Sequence, residues 1–99
     1  MKLTIHTGND GVAMILVGRL DTVTAPDFDR QVSEVINPVE HDITIDCAGL
    51  EYISSAGLRS LIVMLKAAKA SGHKLTLRNI SATILPIFEM TGFSTLFNL

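Results

Sequence analysis

The sequence predicts a single α/β domain whose mixed sheet begins with an antiparallel hairpin and continues with parallel strands. Segments with alternating or continuous apolar residues, typical of strands, precede and alternate with segments whose apolar residues recur at helical spacing. After an opening pair of strands the order is helix, strand, helix, strand, helix, and right-handed crossovers place such strands parallel to one another. We assign residues 1–99 to one domain, because no repeat, low-complexity stretch or linker divides the chain.

Composition and charge exclude several functional classes. Apolar residues make up 47% of the chain and charged residues 18%, which is typical of a folded domain, and the net charge of −2 disfavours sequence-independent nucleic-acid binding. The longest apolar runs, Val12–Val17 and Leu61–Leu65, are far shorter than the ~20 residues that cross a bilayer. The N-terminus lacks the basic and apolar regions of a signal peptide. We expect a cytoplasmic protein without membrane insertion or a nucleic-acid partner.

The cysteine and histidine content argues against a resident metal. A single cysteine, Cys47, cannot close an intrachain disulfide, and His6, His41 and His73 stand too far apart for zinc-type spacing. Neither a Gly-x-Gly-x-x-Gly motif nor a P-loop motif is present. We therefore expect no cofactor.

The opening hairpin is predicted from two strand patterns and the turn between them. Lys2–Thr7 alternates polar and apolar residues, and Val12–Val17 is a dense aliphatic run that could be buried on both faces. Between them, Gly8–Gly11 contains residues that tolerate the positive φ angles of a tight reversal.

The first helix is predicted to start at Thr24, whose hydroxyl can cap it, with Pro26 in its first turn. Asn37-Pro38 ends it. Its apolar residues recur at helical spacing: Phe28, Val32, Val35 and Ile36.

A strand, loop and second helix follow. Asp42–Cys47 alternates as a strand does, and Ala48–Ile53 is predicted to be a loop. Ser54 and Ser55 can cap the helix, which Ser71-Gly72 ends. One apolar stripe runs along this helix: Leu58, Leu61, Ile62 and Leu65.

The last part of the chain predicts a strand at Lys74–Leu77 and a third helix that ends at Thr91-Gly92. The start of this helix is left open, because Pro86 is tolerated only in a first turn. The tail Phe93–Leu99 is apolar and is expected to pack against the rest of the domain.

Ser54 and Ser55 are the first candidates for a functional site. They lie where a loop enters a helix, and Ala56 and Gly57 are too small to shield them. Because a helix N-terminus favours an anion, a phosphate could be carried there without unfolding the domain. The alternative is that these serines are ordinary N-caps.

Two acidic residues could accompany the serines. Asp21 directly follows the second strand segment, and Asp46 comes near the end of the third. In a parallel α/β sheet the carboxyl ends of strands gather at one edge, so both carboxylates are expected to flank the serines. The alternative for each is turn chemistry or surface charge.

Serine hydrolase chemistry is a third possibility. It would need a histidine beside Ser55, and His41 is the candidate, since triad geometry fixes no sequence spacing. No Gly-x-Ser-x-Gly nucleophile elbow is present. We expect the protein not to be an enzyme.

Several segments together resemble the STAS family, the sulfate transporter and anti-sigma factor antagonist domains, in its small stand-alone bacterial form. The resemblance spans nearly the whole chain, and it implies a mixed sheet with helices packed mainly on one face. The segments that carry it are Gly18-Arg19-Leu20-Asp21 with Thr24-Ala25, Ile45-Asp46 with Leu50, Tyr52-Ile53-Ser54-Ser55-Ala56-Gly57-Leu58, and Met90-Thr91-Gly92-Phe93.

The resemblance implies a partner switch. An unphosphorylated antagonist binds a serine-kinase anti-sigma factor and releases a sigma factor, phosphorylation breaks that complex, and a serine phosphatase restores it. The modified serine of the family lies two residues before the glycine, which is Ser55 here, and Ser54 replaces the usual Asp. The positions expected to contact the partner are Asp21, Thr22, Asp46, Ser54, Ala56, Gly57, Leu58 and Arg59.

The resemblance also leaves a second role open. The chain could instead be a STAS subunit of a lipid-transport or signalling complex without a sigma factor, with Ser55 acting as a cap or contact.

Overall fold

The computed structural model describes residues 1–99 as a four-stranded sheet with three helices. The strands lie in the order β1-β2-β3-β4, with β1 antiparallel to β2 and the other neighbours parallel. This confirms the predicted α/β class and hairpin. No helix has both the length and the apolar character to cross a membrane. The elements are β1 Lys2–Gly8, β2 Gly11–Leu20, α1 Ala25–Ile36, β3 Ile43–Ile53, α2 Ser55–Ala70, β4 Leu75–Arg78 and α3 Leu85–Met90.

Gly11 closes the hairpin, and the nearby backbone of Asp42 leaves no room for a side chain at this position. Gly8 pairs with Gly11 at the end of the antiparallel ladder. Gly11 has a φ of 151°, and a Cβ there would lie 2.8 Å from the carbonyl oxygen of Asp42. A side chain at this position would therefore meet both backbone strain and a steric clash.

β2 and β3 are longer than the sequence indicates. β2 continues to Leu20, and the predicted loop Ala48–Ile53 is the second half of β3. The β2–β3 register shifts twice, between Ile15 and Val17 and between Gly18 and Arg19, and β3 has one extra residue at each shift. Bulges of this kind break the two-residue alternation on which strand prediction depends, so the loop prediction is wrong.

The helices cover one face of the sheet, as expected. Alternate side chains of the central strands face the helices and are buried, whereas Ile15 and Val17 lie on the opposite, helix-free face and are about 40% exposed. Burial of Cys47 in this core raises the pKa of its thiol to about 12, and the charge of Asp46 acts in the same direction. The largest fully buried side chains are Phe28, Phe88, Met14, Leu16, Leu20, Ile43, Ile45, Ile53, Leu58, Leu61, Met64 and Ile84.

The C-terminal tail packs onto α3. Phe97 is buried and meets Phe88 edge to face, with ring centroids 5.7 Å apart. Ser81 Oγ accepts the backbone N–H of Ile84 at 3.2 Å, just before α3 begins at Leu85. Pro86 therefore lies in the first turn, where it costs no hydrogen bond.

Gly57 allows α2 to start directly against the end of β2. A Cβ on this residue would lie 2.6 Å from the carbonyl oxygen of Leu20, 2.8 Å from Leu20 Cγ and 2.8 Å from Ile53 Cγ1. The first contact is with backbone, which cannot rotate out of the way. The approach of helix and strand therefore requires a residue without a side chain.

We expect Gly57→Ala to lower the free energy of unfolding by about 1–3 kcal/mol, because the added methyl group overpacks the junction. Helix propensity alone would predict the opposite, since Ala is favoured over Gly by ~1 kcal/mol inside a helix. Gly8→Ala is the control, because its Cβ would lie 3.9 Å from the nearest atom. Urea unfolding measures the free energy of unfolding of both variants. A Gly57→Ala protein as stable as the wild type would contradict the close packing.

Candidate functional site

The strands β2 and β3 end at the same edge of the sheet. Leu20 pairs with Ile53, and the ladder continues with the Ser54 N–H donating to the Leu20 carbonyl at 2.9 Å. The turn after β2 and the start of α2 are therefore adjacent. We call these two segments, Asp21–Thr24 and Ser54–Ala56, the serine edge.

The two serines have different environments. Ser54 is extended, with φ −97° and ψ 177°, and its Oγ accepts the N–H of Gly57 at 3.3 Å as the N-cap of α2. Ser55 is the first helical residue, and its exposed hydroxyl makes no hydrogen bond within the chain. The sequence leaves open whether these serines are helix caps or a phosphorylation site. In the structure Ser54 is the cap, and the Ser55 hydroxyl is free.

A closed network of hydrogen bonds shapes the other half of the serine edge. Asp21 Oδ1 accepts the N–H groups of Val23 at 3.0 Å and Thr24 at 3.1 Å. Thr24 Oγ1 accepts the Asp21 N–H and donates to the Arg19 carbonyl, each at 2.9 Å. The predicted side-chain cap by Thr24 is therefore wrong, because its hydroxyl closes the turn instead of binding the first turn of α1.

The charge of Asp21 is balanced within the same turn. The hydrogen bond from the Thr24 N–H is the largest cause that holds the pKa of the Asp21 carboxyl below its usual value; burial opposes it, and the Val23 N–H adds to the lowering. Arg19 Nε lies 3.6 Å from Asp21 Oδ2, and its guanidinium carbon lies 4.5 Å from the centre of the Tyr52 ring. This arrangement ties the turn to β3, where Tyr52 pairs with Arg19.

The other positions expected at the partner surface differ in accessibility. Thr22 and Arg59 are exposed, and Ala56 is half-buried. Gly57 and Leu58 are buried, so their expected direct contacts are corrected: Gly57 packs against β2, and Leu58 is a core side chain. Between α2 and the C-terminal end of α3 lies a depression, which we call the α2–α3 depression. It is lined by Ser55, Leu58, Arg59 and Ile62 of α2 and by Thr91 and Phe93, which lie just after α3.

The depression adds residues that the sequence pattern did not assign to the site. The helical spacing places Ile62 in the core stripe of α2, but in the structure it is only half-buried. Thr91 and Phe93 belong to a segment that carried the family resemblance, which was the one signal available for them. Tyr52, which packs under Arg19, was likewise visible only as part of a family segment.

Asp46 does not flank the serines. Because β3 continues to Ile53, Asp46 lies seven residues before the end of the strand, about 20 Å away along it. It pairs with Arg78, and its Oδ1 accepts the Ala48 N–H at 2.9 Å and the Asn79 side-chain amide at 3.1 Å. These bonds, led by that of Ala48, lower the pKa of the Asp46 carboxyl. The expected position beside the serines is wrong.

No histidine lies near Ser55. His41 precedes β3, and the 11 residues of this strand separate it from the serine edge by about 30 Å. His73 contacts Asp42 at the same far end, with 3.2 Å between Nδ1 and Oδ1, and His6 pairs with Ala13 near the start of β2. The hypothesis of a serine nucleophile with a histidine base is therefore wrong.

The comparison with known families agrees with this geometry. The STAS domain family model matches residues 3–99. The chain belongs to the STAS domain family. A STAS domain of this kind is a regulatory module and not an enzyme.

Curated relatives match this STAS domain over nearly its full length. It is 28% identical over 98 residues to the anti-sigma-B factor antagonist of Staphylococcus epidermidis, with 97% of this chain and 91% of that protein covered. It is 27% identical over 97 residues to BtrV of Bordetella bronchiseptica, assigned as an anti-sigma factor antagonist, with 98% and 84% covered.

Solved structures share the fold. An anti-sigma factor antagonist from Mycobacterium paratuberculosis superposes with a TM-score of 0.80 at 21% identity, covering 97% of this chain and 81% of that one. The phosphorylated form of the Bacillus cell fate determinant SpoIIAA gives a TM-score of 0.74 at 19% identity, covering 95% and 86%. At these identities the likeness concerns the fold.

Because Ser54 caps α2 and Ser55 does not, replacing each serine by alanine should affect stability differently. We expect Ser54→Ala to lower the free energy of unfolding by about 0.5–2 kcal/mol, because the Gly57 N–H loses its cap. Ser55→Ala is the matched control, and we expect a change within about 0.5 kcal/mol, since no intrachain bond is removed. Chemical unfolding of the two variants distinguishes these assignments. Equal losses, or a larger loss for Ser55→Ala, would contradict them.

The hydrogen bonds of Asp21 predict a pH dependence. Because its pKa is lower in the folded chain than the usual 3.8, its stabilising effect is fully present above about pH 4 and is lost as the pH falls through the folded-state value. We expect Asp21→Asn to destabilise the domain at pH 7 and the difference from the wild type to shrink as the pH falls below about 4. Urea unfolding from pH 2 to 7 measures this. Asp10→Asn, in the exposed hairpin turn, controls for the loss of one charge. A pH-independent difference would contradict the assignment.

Proposed function

We propose that this STAS domain is a cytoplasmic anti-sigma factor antagonist whose unphosphorylated form binds a serine-kinase anti-sigma factor and so releases a sigma factor. Phosphorylation of Ser55 switches it off, and a serine phosphatase restores it. The observation that carries this proposal is the free, exposed hydroxyl of Ser55 at the serine edge. Membership of the STAS family and the names of the relatives support it.

The environments of the two serines favour Ser55 over Ser54 as the acceptor. The Ser54 hydroxyl is half-buried and already accepts a hydrogen bond from Gly57. Using it as a nucleophile would break the cap of α2 at a cost of about 1 kcal/mol. The Ser55 hydroxyl requires no such rearrangement.

A phosphate on Ser55 is compatible with the folded domain. The side chain is exposed, and no acidic residue lies in the first turn of α2. The N–H groups of Ser55 and Ala56 have no backbone acceptor, as is normal at a helix start, and the helix dipole there favours negative charge. The modification should therefore change the surface and leave the fold intact.

The same phosphate would oppose a docked partner. It adds nearly two negative charges at the edge where the β2–α1 turn and α2 meet. Moving a complex from mostly bound to mostly free needs a change of about 3–5 kcal/mol in binding free energy. Charge repulsion together with poor desolvation at an interface is of this size.

The test uses the serine-kinase anti-sigma factor of the same genome, with ATP. We expect intact-mass and peptide analysis to find one phosphate on Ser55, none on Ser55→Ala, and normal incorporation on Ser54→Ala. Affinity measured by titration calorimetry should fall at least about 100-fold after phosphorylation, which is the lower end of the free-energy change above.

Two results would contradict the proposal. One is phosphorylated protein that binds the kinase as tightly as the unmodified protein does. The other is selective recovery of a transport ATPase and no kinase in affinity purification, which would favour the role of a lipid-transport subunit.

A further inference from the structure

Arg59 is positioned to reach a group carried by Ser55. The two residues are four apart on α2, and both line the α2–α3 depression. Residues at this spacing are surface neighbours, with Cβ atoms about 5–6 Å apart. Side chains on a helix lean toward its N-terminus, so the later residue of such a pair extends toward the earlier one.

The guanidinium of Arg59 has no fixed anionic partner. It is exposed and takes part in none of the ion pairs of the structure. It is the only charged side chain that lines the α2–α3 depression. The carboxylate of Asp21, on the adjacent turn, is held by its own turn and by Arg19. Asp29 shares a groove between α1 and α2 with Arg59 and is the competing anion.

We propose that Arg59 holds the phosphate of phosphorylated Ser55 in an ion pair within the chain. This inference rests on the proposed function only in taking Ser55 as the modified residue. An anion followed by a cation four residues later is the favourable order on a helix, and the planar guanidinium can bind two phosphate oxygens at once. Phosphorylation then has two effects: it adds negative charge, and it withdraws from the surface a cation that is otherwise free to contact a partner.

The test needs no kinase. Phosphoserine is placed at position 55 during translation, and its second pKa, ordinarily near 6, is measured by phosphorus NMR. Pairing with Arg59 favours the dianion and lowers this pKa. We expect Arg59→Gln to raise it by about 0.2–0.7 relative to the same protein with Arg59, as for an exposed ion pair. We also expect Arg59→Lys to raise it less than Arg59→Gln does.

Lys66→Gln is the matched control. It removes the same charge from an exposed position of α2, 11 residues from Ser55, or about 16 Å along the helix axis. This distance exceeds the screening length of about 8 Å at physiological salt, so the phosphoserine pKa should not change. The effect of Arg59→Gln should also largely disappear in 1 M NaCl.

Two results would overturn the inference. One is an equal change, or none, in the Arg59→Gln and Lys66→Gln proteins. The other is a phosphoserine pKa that falls only when Asp29→Asn frees Arg59, which would show that Asp29 holds the guanidinium. Circular dichroism confirms that each variant is folded. A kinase that fails to modify Ser55 would contradict the proposed function and leave this measurement unaffected.

Discussion

The parallel pairing of β2 with β3 is the constraint on which the candidate site depends. The pairing runs from Val12 with Ile43 to Leu20 with Ile53, and the Ser54 N–H extends it by one more bond to the Leu20 carbonyl. The same carbonyl is the atom that a Cβ on Gly57 would strike. One backbone oxygen therefore fixes both the end of the ladder and the approach of α2. The position of Ser55 follows from that geometry and not from its own contacts.

Most polar side chains at the serine edge form hydrogen bonds with the backbone. Asp21, Thr24 and the Ser54 hydroxyl each accept backbone N–H groups, and Arg19 pairs with Asp21 above the Tyr52 ring. Preorganised turns of this kind present the remaining free groups in fixed positions. A binding partner would thus meet a rigid edge on which few polar side chains are uncommitted, so a change at one of them has a large relative effect.

Most of the fold could be predicted from the sequence, because the helices and short strands follow simple periodicity. The second half of β3 could not, since two bulges interrupt its alternation, the first between Asp46 and Gly49 and the second at Glu51. Because the sequence predicts that the strand ends at Cys47, Asp46 is expected near its carboxyl end, whereas it lies near its start. The sequence also could not show which of Ser54 and Ser55 caps α2. Both are good capping residues, and only the extended backbone angles of Ser54 identify it as the cap. The sequence also predicts a cap at Thr24, but its hydroxyl accepts the Asp21 N–H and donates to the Arg19 carbonyl instead, contacts that helix-capping patterns do not encode.

The interior contains the only thiol of the chain, and its environment makes it a reporter of core opening. Cys47 is fully buried and its pKa is raised to about 12, so at neutral pH it offers neither access nor thiolate to an alkylating reagent. Reaction at this sulfur therefore requires the sheet and helices to separate. Its labelling rate measures how often that happens, and comparing the rate with and without a phosphate at the surface separates a change in docking from a loosening of the fold.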